Sequence, residues 1–239
     1  NYPAELMYER LVLFTTTPMF QSEILPFSSE YVNIVEKSAE ENMEIEFNRQ
    51  IIHKFLVNLS NIVTDINFPH IFSNQLIINL FTNSFIIDDD QILSAAAEFA
   101  CSIVSFDEGA SLLMSDAFLD RIFLLLNDSP YSIRKSMILL NVDLIVSQEA
   151  EQIFLLLARG LLESIFDYLQ IEHDENTYEV LQGIYYLIVK LEKTEHIDGI
   201  IDFLRENEEI ISDFIDNDCI NISEKAKAIL QSMSAYQLS

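Results

Sequence analysis

The sequence predicts an all-α protein, a right-handed superhelix built from helical repeats, and three observations predict it. About half of the 239 residues are hydrophobic, which suffices to bury a substantial core. Only four Gly and five Pro interrupt the chain, and its apolar segments run for roughly 10 to 18 residues, a length that favours helices over strands. The third observation is a dipeptide that returns at a nearly constant interval.

That dipeptide is Ile-Val. It occurs at Ile62-Val63, Ile103-Val104, Ile145-Val146 and Ile188-Val189, with a weaker match at Ile229-Leu230. The intervals are 41, 42, 43 and 41 residues, and we expect the pairs to lie in the core. Each pair lies near the end of a long predicted helix, and these helices are Glu46 to Thr64, Asp89 to Ser105, Tyr131 to Ser147, Asn176 to Leu191 and Ile222 to Ser234.

Shorter segments fill the intervals. Acidic or turn clusters precede the long helices, at Asp88 to Asp90, Asp128 to Pro130, His173 to Glu175 and Asp216 to Asp218. Their carboxylates can cap free amides and meet the positive end of the helix dipole. A second, shorter helix is predicted ahead of each cluster, at Leu76 to Phe85, Phe118 to Asn127, Leu161 to Leu169 and Glu208 to Ile215. Two repeats have a further short segment before that helix, at Ala150 to Ala158 and Ile197 to Arg205, which would give them three helices. Two or three helices per repeat of about 42 residues are typical of armadillo and HEAT arrays.

The alanine-rich stretch ILSAAAEFACSIVS (Ile92 to Ser105) favours the three-helix form, since small residues let helices approach closely. This stretch and VNLSNIV (Val57 to Val63) resemble the third helix of the armadillo family, and within it of the importin-alpha nuclear-import adaptors. IIDFLRENEEI (Ile200 to Ile210) and ISEKAKAILQ (Ile222 to Gln231) resemble the closing repeat of that family.

The resemblance implies one armadillo-repeat domain of about five repeats over residues 1–239. The segment from Ala4 to Thr17 resembles a third helix that lacks its own first and second helices. We therefore expect the sequence to be a fragment that starts inside a longer array. Residues Gln21 to Glu44 would then form an irregular or extended repeat.

The chain is strongly acidic, with 13 Lys and Arg against 39 Asp and Glu and a net charge of −26. No Lys or Arg occurs from Phe55 to Asp120. Such a field repels nucleic acid and anionic membranes and attracts basic partners, although the excess acid could equally serve to keep a hydrophobic chain soluble.

The apolar runs are far shorter than the roughly 20 residues of a membrane span. Cys101 and Cys219 are predicted to be reduced, buried residues of an intracellular protein.

No catalytic or phosphate-binding motif occurs, and the four His are scattered among different repeats. The cluster Asp216 to Asp218 begins like a calcium-binding loop, but Asn221 and Lys227 stand where that loop requires Gly and Glu. We therefore predict no enzyme, no metal and no cofactor, with a helical hydrolase of unrecognised site as the remote alternative.

The importin-alpha resemblance implies a groove in which Trp and Asn, four residues apart on the third helices, hold an extended basic peptide. We aligned the third helices of this chain with those of the family by their Ile-Val pairs. The family's Asn then corresponds to Asn61, Ser102, Leu144 and Leu187, and its Trp corresponds to Val57, Glu98, Leu140 and Gly183. Only Asn61 matches, and the chain contains no Trp. We therefore expect import signals of the basic type to bind these repeats poorly.

Polar residues on those helices are the remaining candidates for peptide contact: Asn58, Asn61, Glu98, Ser102, Asn141, Glu179 and Gln182. The alternative is that they merely solvate one helix face. The resemblance implies a non-enzymatic adaptor, in cytoplasm and nucleus, that engages basic cargo segments for nuclear import, with importin-beta and an export factor as further partners. The alternative function is an armadillo or HEAT scaffold or regulatory subunit in a protein complex.

Overall fold

The computed structural model describes residues 46–66, 68–171, 174 and 176–236. All regular structure in these residues is α-helix, which confirms the predicted all-α class. The helices are α1 (Glu46–Ile62), α2 (Phe68–Phe72), α3 (Gln75–Ser84), α4 (Asp90–Ile103), α5 (Asp107–Leu113), α6 (Asp116–Asp128), α7 (Tyr131–Ser147), α8 (Ala150–Leu157), α9 (Leu161–Ile171), α10 (Thr177–Leu191), α11 (Ile197–Glu206), α12 (Glu208–Ser212) and α13 (Ile220–Ala235). The segments Ala4 to Thr17 and Gln21 to Glu44 lie outside the described residues.

The chain divides into two compact units, the first ending at Ile122 and the second beginning at Phe123. In the first unit α1 packs against α4, which also contacts α3 and α5. In the second unit α7 packs against α10, and α10 packs against α13. We call α1, α4, α7, α10 and α13 the third helices, because they are the long segments that carry the Ile-Val repeat. One domain over residues 1–239 stays a prediction.

The Ile-Val pairs lie in the core only in part: Ile103 and Val104 are both buried, as predicted, but the other pairs are not buried throughout. The first residue is buried in four repeats, at Ile103, Ile145, Ile188 and Ile229. The second residue is 39% exposed at Val146 and 46% exposed at Val189, so the prediction that whole pairs are buried was wrong there. Successive residues on a helix point about 100° apart, so at Val146 and Val189 the second residue turns away from the face that buries the first. Ile62 and Val63 are both half-buried.

Aromatic rings fill the core of the first unit. Phe81 lies edge-on to Phe85 and Phe99, with ring centroids 5.5 and 5.0 Å apart. Phe118 from α6 contacts Phe81 and Phe85 at 5.6 and 4.7 Å. Each such pair adds about 0.5 to 1.5 kcal/mol beyond the burial of its area. These contacts hold α3, α4 and α6 together, so they fix the position of α4.

Basic side chains join successive repeats. In the first unit, Arg49 of α1 forms a 3.3 Å ion pair with Asp89, the residue that caps α4. Arg121 of α6 donates from Nε to the carbonyl oxygen of Phe85, just after α3. In both cases the partner lies about one repeat away in sequence, so a cation and an acceptor from different helices stabilise their packing.

In the second unit, lysine side chains likewise join α7 to the next repeat at both of its ends. At its beginning, Lys135 Nζ lies 2.5 Å from Asp174 Oδ2, in the segment that leads into α10. At its end, Lys190 of α10 donates to the carbonyl oxygens of Val146 and Gln148, each at 2.6 Å. A cation at a helix C-terminus complements the negative end of the dipole. Burial lowers the pKa of Lys190, while the charge of nearby Glu149 raises it.

The prediction that the acidic clusters cap the long helices holds before α4 only, since the N-cap residues of α10 and α13, Asn176 and Cys219, make no side-chain cap hydrogen bond. Asp89 Oδ1 accepts from the backbone N–H groups of Gln91 and Ile92, both at 3.1 Å. Before α7, in contrast, the N-cap is Pro130, which has no side-chain acceptor to offer. The cap position is therefore filled by a residue with a fixed φ rather than by a carboxylate.

The two cysteines form no disulfide. Cys101 is half-buried in α4, whereas Cys219 is exposed, so the prediction that both are buried was wrong for Cys219. The reason is that α13 begins at Ile220, which leaves Cys219 as the N-cap residue rather than on the apolar face of the helix.

Candidate binding surface on the third helices

The surface of α10 carries three tyrosines beside two of the candidate polar residues. The opposite face of α10 is buried, with Val180, Leu181, Ile184, Leu187, Ile188 and Leu191 in the core. The partly or fully exposed residues between Tyr178 and Tyr186 are Tyr178, Glu179, Gln182, Tyr185 and Tyr186. We call these five residues the α10 stripe.

A lysine of the neighbouring helix lies over two of these rings. Lys225 of α13 places Nζ 4.6 Å from the ring centroid of Tyr185 and 5.8 Å from that of Tyr178. The two tyrosines are seven residues apart, or about two turns, so they lie on the same side of α10. A cation within about 6 Å of an aromatic centroid is attracted by the negative face of the ring. The stripe therefore has the chemistry to hold a positive charge without a carboxylate.

The rings of Tyr178 and Tyr185 are the partners that the structure shows for the charge of Lys225. Lys225 makes no salt bridge with any carboxylate in the part of the chain that the structure describes, although Asp and Glu outnumber Lys and Arg threefold. Lys227, two residues further along α13, instead donates to Ser223 Oγ at 2.9 Å.

In the second unit, two of the three candidate residues lie at the surface and one does not. Glu179 is exposed and Gln182 is half-buried, and both belong to the α10 stripe. The prediction that Asn141 contacts a peptide was wrong. Its side chain is fully buried, so no peptide can reach it. Its Nδ2 donates to the carbonyl oxygen of Met137 at 2.8 Å, while Oδ1 has no hydrogen-bond partner among the described residues.

The burial of Asn141 follows from the position of α7. From residue 137 to residue 145 only Leu139 and Asp143 of this helix keep some exposure. A helix covered on nearly all sides has no single polar face, so a helical period cannot identify its surface residues.

The importin-alpha positions transferred to this unit fall in the core. Leu140, Leu144 and Leu187 are fully buried. Gly183 faces Val142 of α7 so closely that a Cβ atom added to the glycine would lie 3.0 and 3.1 Å from the two methyl groups of Val142. The implied Trp and Asn places at these residues therefore face the interior rather than a binding surface.

In the first unit the candidate residues lie on α1 and α4. Glu98 and Asn61 are exposed, and Asn58 and Ser102 are half-buried. Asn61 Nδ2 donates to the carbonyl oxygen of Val57 at 2.8 Å, and the hydroxyl of Ser102 donates to a carbonyl one turn earlier at 2.7 Å. These intrahelical bonds use one donor of each side chain and leave acceptor oxygens for other partners.

The tyrosines of the stripe were not predicted from the sequence, because the importin-alpha resemblance concerns Trp at one position of each third helix. Tyr178 and Tyr185 lie at other positions, and their pairing with Lys225 depends on how α10 packs against α13. A signal was present, since a seven-residue spacing puts two rings on one helix face. Only the packing shows that this face is at the surface.

Other kinds of site find no support in the described ranges. No group of three or more His, Cys, Asp and Glu residues there could hold a metal ion. No helix among those residues combines the length and apolar character needed to cross a membrane.

Several solved structures share this fold. An engineered protein from a structural genomics consortium superposes with a TM-score of 0.75 at 15% identity, over 98% of this chain and 95% of that one. Computationally designed armadillo repeat proteins for modular peptide recognition give 0.70 at 13% identity, over 93% and 89%. A designed armadillo repeat protein in complex with the peptide (KR)4 gives 0.68 at 14% identity, over 94% and 90%.

At these identities the similarity establishes the fold alone, which is that of an armadillo-repeat solenoid. No protein-family model matches the chain, and no curated protein sequence matches it.

Proposed function

We propose that this chain is a non-enzymatic binding scaffold whose third helices hold basic segments of other proteins. The observation that carries the proposal is the lysine of α13 over the rings of Tyr178 and Tyr185, because the same ring faces are suited to the side-chain cations of a partner. Glu179 in the same stripe adds a negative charge, and the net charge of −26 attracts basic segments over a longer range. The (KR)4 complex of a designed structural neighbour supplies a suitable probe.

The more specific proposal is an importin-alpha-like adaptor for nuclear import, which works in cytoplasm and nucleus with importin-beta and an export factor as partners. Its support is the sequence resemblance of the third helices and the closing repeat. The absence of Trp argues that import signals of the basic type bind weakly, because each missing ring face costs about 0.5 to 1 kcal/mol at an exposed site.

The alternative is a scaffold or regulatory subunit that holds folded proteins together. Exposed apolar side chains on α6, α8 and α9 favour it: Leu124 is 45% exposed, Leu155 44% and Ile171 62%. Such residues are suited to contacts with folded partners, whereas the α10 stripe is suited to a cationic segment.

Titration of the purified chain with fluorescently labelled (KR)4 peptide tests the proposal. We expect saturable binding that weakens steeply with salt, because a Debye length of about 8 Å at physiological ionic strength screens long-range attraction. In a chain that carries Lys225→Met, so that no internal cation occupies the rings, Tyr185→Leu should weaken binding about two- to fivefold, the equivalent of one exposed cation–π contact. Glu179→Gln should also weaken it, and more than Glu163→Gln, which removes an equal charge from an exposed site on α9.

No saturable binding at low salt would overturn the proposal. Equal binding by Lys225→Met with and without Tyr185→Leu would move the contact surface away from the α10 stripe and favour the scaffold alternative.

A further inference from the structure

We infer that Tyr178 and Tyr185 form a subsite for one Lys or Arg side chain of a bound segment, and that Lys225 occupies this subsite in the free protein. Lys225 is then an internal competitor, which a basic segment must displace from the rings. The inference rests on the proposed binding of basic segments. It adds the site on α10 where one basic side chain binds and the residue, Lys225, that lowers the affinity for that side chain.

The geometry suits one cation. Both rings are half-exposed, and a single ammonium group lies within 6 Å of both centroids. The two rings therefore share one charge rather than offering two separate contacts. Tyr186 adds a third ring nearby, with its centroid 6.2 Å from that of Tyr185.

Lys225 can leave without disturbing the helix that carries it. The next residue, Ala226, is fully buried and so anchors this turn of α13 through its backbone and methyl group. Lys225 itself is half-exposed, and its four-carbon stem has several rotatable bonds. The ammonium group can therefore swing into solvent while α13 stays packed against α10.

The strength of the contact makes the exchange feasible. A cation–π contact at an exposed site corresponds to about two- to fivefold in affinity. Lys225 should therefore weaken the binding of an incoming cation by a factor of this size. It should also keep weakly basic segments out of the subsite, because a single incoming charge gains little by replacing another.

The test compares (KR)4 binding by the wild-type chain with binding by Lys225→Met, which keeps an aliphatic stem but loses the charge. We expect Lys225→Met to bind about two- to fivefold more tightly. Lys227→Met is the matched control, because it removes an equal charge two residues away that contacts Ser223 instead of the rings. Lys225→Arg, which keeps a cation over the rings, should show no gain. Circular dichroism of each variant checks that the helices are intact.

A direct measurement on the free protein accompanies the titration. The methylene protons of Lys225 should show an upfield ring-current shift in NMR spectra, and the shift should decrease as (KR)4 is added. In a chain that also carries Tyr185→Leu, the gain from Lys225→Met should be lost.

The outcomes separate the subsite from the proposed function. Equal gains from Lys225→Met and Lys227→Met would overturn the subsite and leave basic-segment binding in place, since loss of repulsion alone would explain both. Failure of every variant to bind the peptide at low salt would overturn both proposals. Binding by Lys225→Met but not by the wild-type chain would support the competitor directly.

Discussion

Replacing Asp174 by Asn should lower the free energy of unfolding at neutral pH, and the loss should disappear in strong acid. Asp174 accepts hydrogen bonds from Lys135 Nζ at 2.5 Å, from the hydroxyl of Tyr168 at 2.7 Å and from the backbone N–H of Asn176 at 2.9 Å. Burial alone would raise the pKa of this carboxyl. The three hydrogen bonds and the charge of Lys135 outweigh burial and lower the pKa from 3.8 to about 2.

The size of the effect follows from this difference in pKa. At 1.36 kcal/mol per pH unit, a change from 3.8 to about 2 corresponds to about 2.4 kcal/mol. The Asp174 side chain is 23% exposed and that of Lys135 27%, so solvent screening reduces the expected loss to about 1 to 2 kcal/mol. Because the folded pKa lies below the unfolded one, this stability is present above about pH 3.8 and is lost as the pH falls to about 2.

Denaturant unfolding followed by circular dichroism at neutral pH and near pH 2 measures the prediction. Asp167→Asn is the matched control, since it removes a carboxylate from an exposed position on α9 in the same unit. An equal loss for Asp174→Asn at both pH values would refute the electrostatic explanation. So would a loss of the same size for the control.

Two further predictions concern packing. Asn141→Leu should raise the free energy of unfolding by about 1 kcal/mol, because it removes a buried oxygen that has no partner in the described residues; a lower melting temperature would contradict this. Gly109→Ala should lower it by more than about 1 kcal/mol, because the added Cβ atom would lie 2.2 Å from the carbonyl oxygen of Ile103. Gly199→Ala on α11 meets no atom within 4 Å and should stabilise by about 0.5 to 1 kcal/mol, so equal effects of the two substitutions in thermal melts would refute the steric argument.

Sequence periodicity predicted the long helices well. The predicted segment Tyr131 to Ser147 coincides with α7, and Asp89 to Ser105 exceeds α4 by one residue at its start and two at its end. It missed α2 and α5, which at 5 and 7 residues are too short to display a helical period. A single turn or two of helix is formed mainly by tertiary packing, and packing has no signature in local sequence.

The candidate surface was less predictable, for reasons that particular residues make clear. Glu179 and Gln182 could be placed on a polar stripe because α10 has one buried face. Asn141 could not be placed, because its helix is covered on nearly all sides. The pairing of Lys225 with Tyr185 joins residues 40 positions apart, and no local pattern predicts which side chain of α13 reaches which ring of α10.

The stretch without cations between Lys54 and Arg121 has a practical consequence for proteolysis. Trypsin cleaves after Lys and Arg, so complete digestion should release one peptide, Phe55 to Arg121, which contains the second half of α1, all of α2 to α5 and the first part of α6. Cleavage after Arg121, at the C-terminal end of this peptide, also reports on the folded protein. There the Arg121 side chain donates a hydrogen bond to the carbonyl oxygen of Phe85, beside the aromatic core. The rate at which trypsin cuts after Arg121 therefore measures how often α6 opens away from α3.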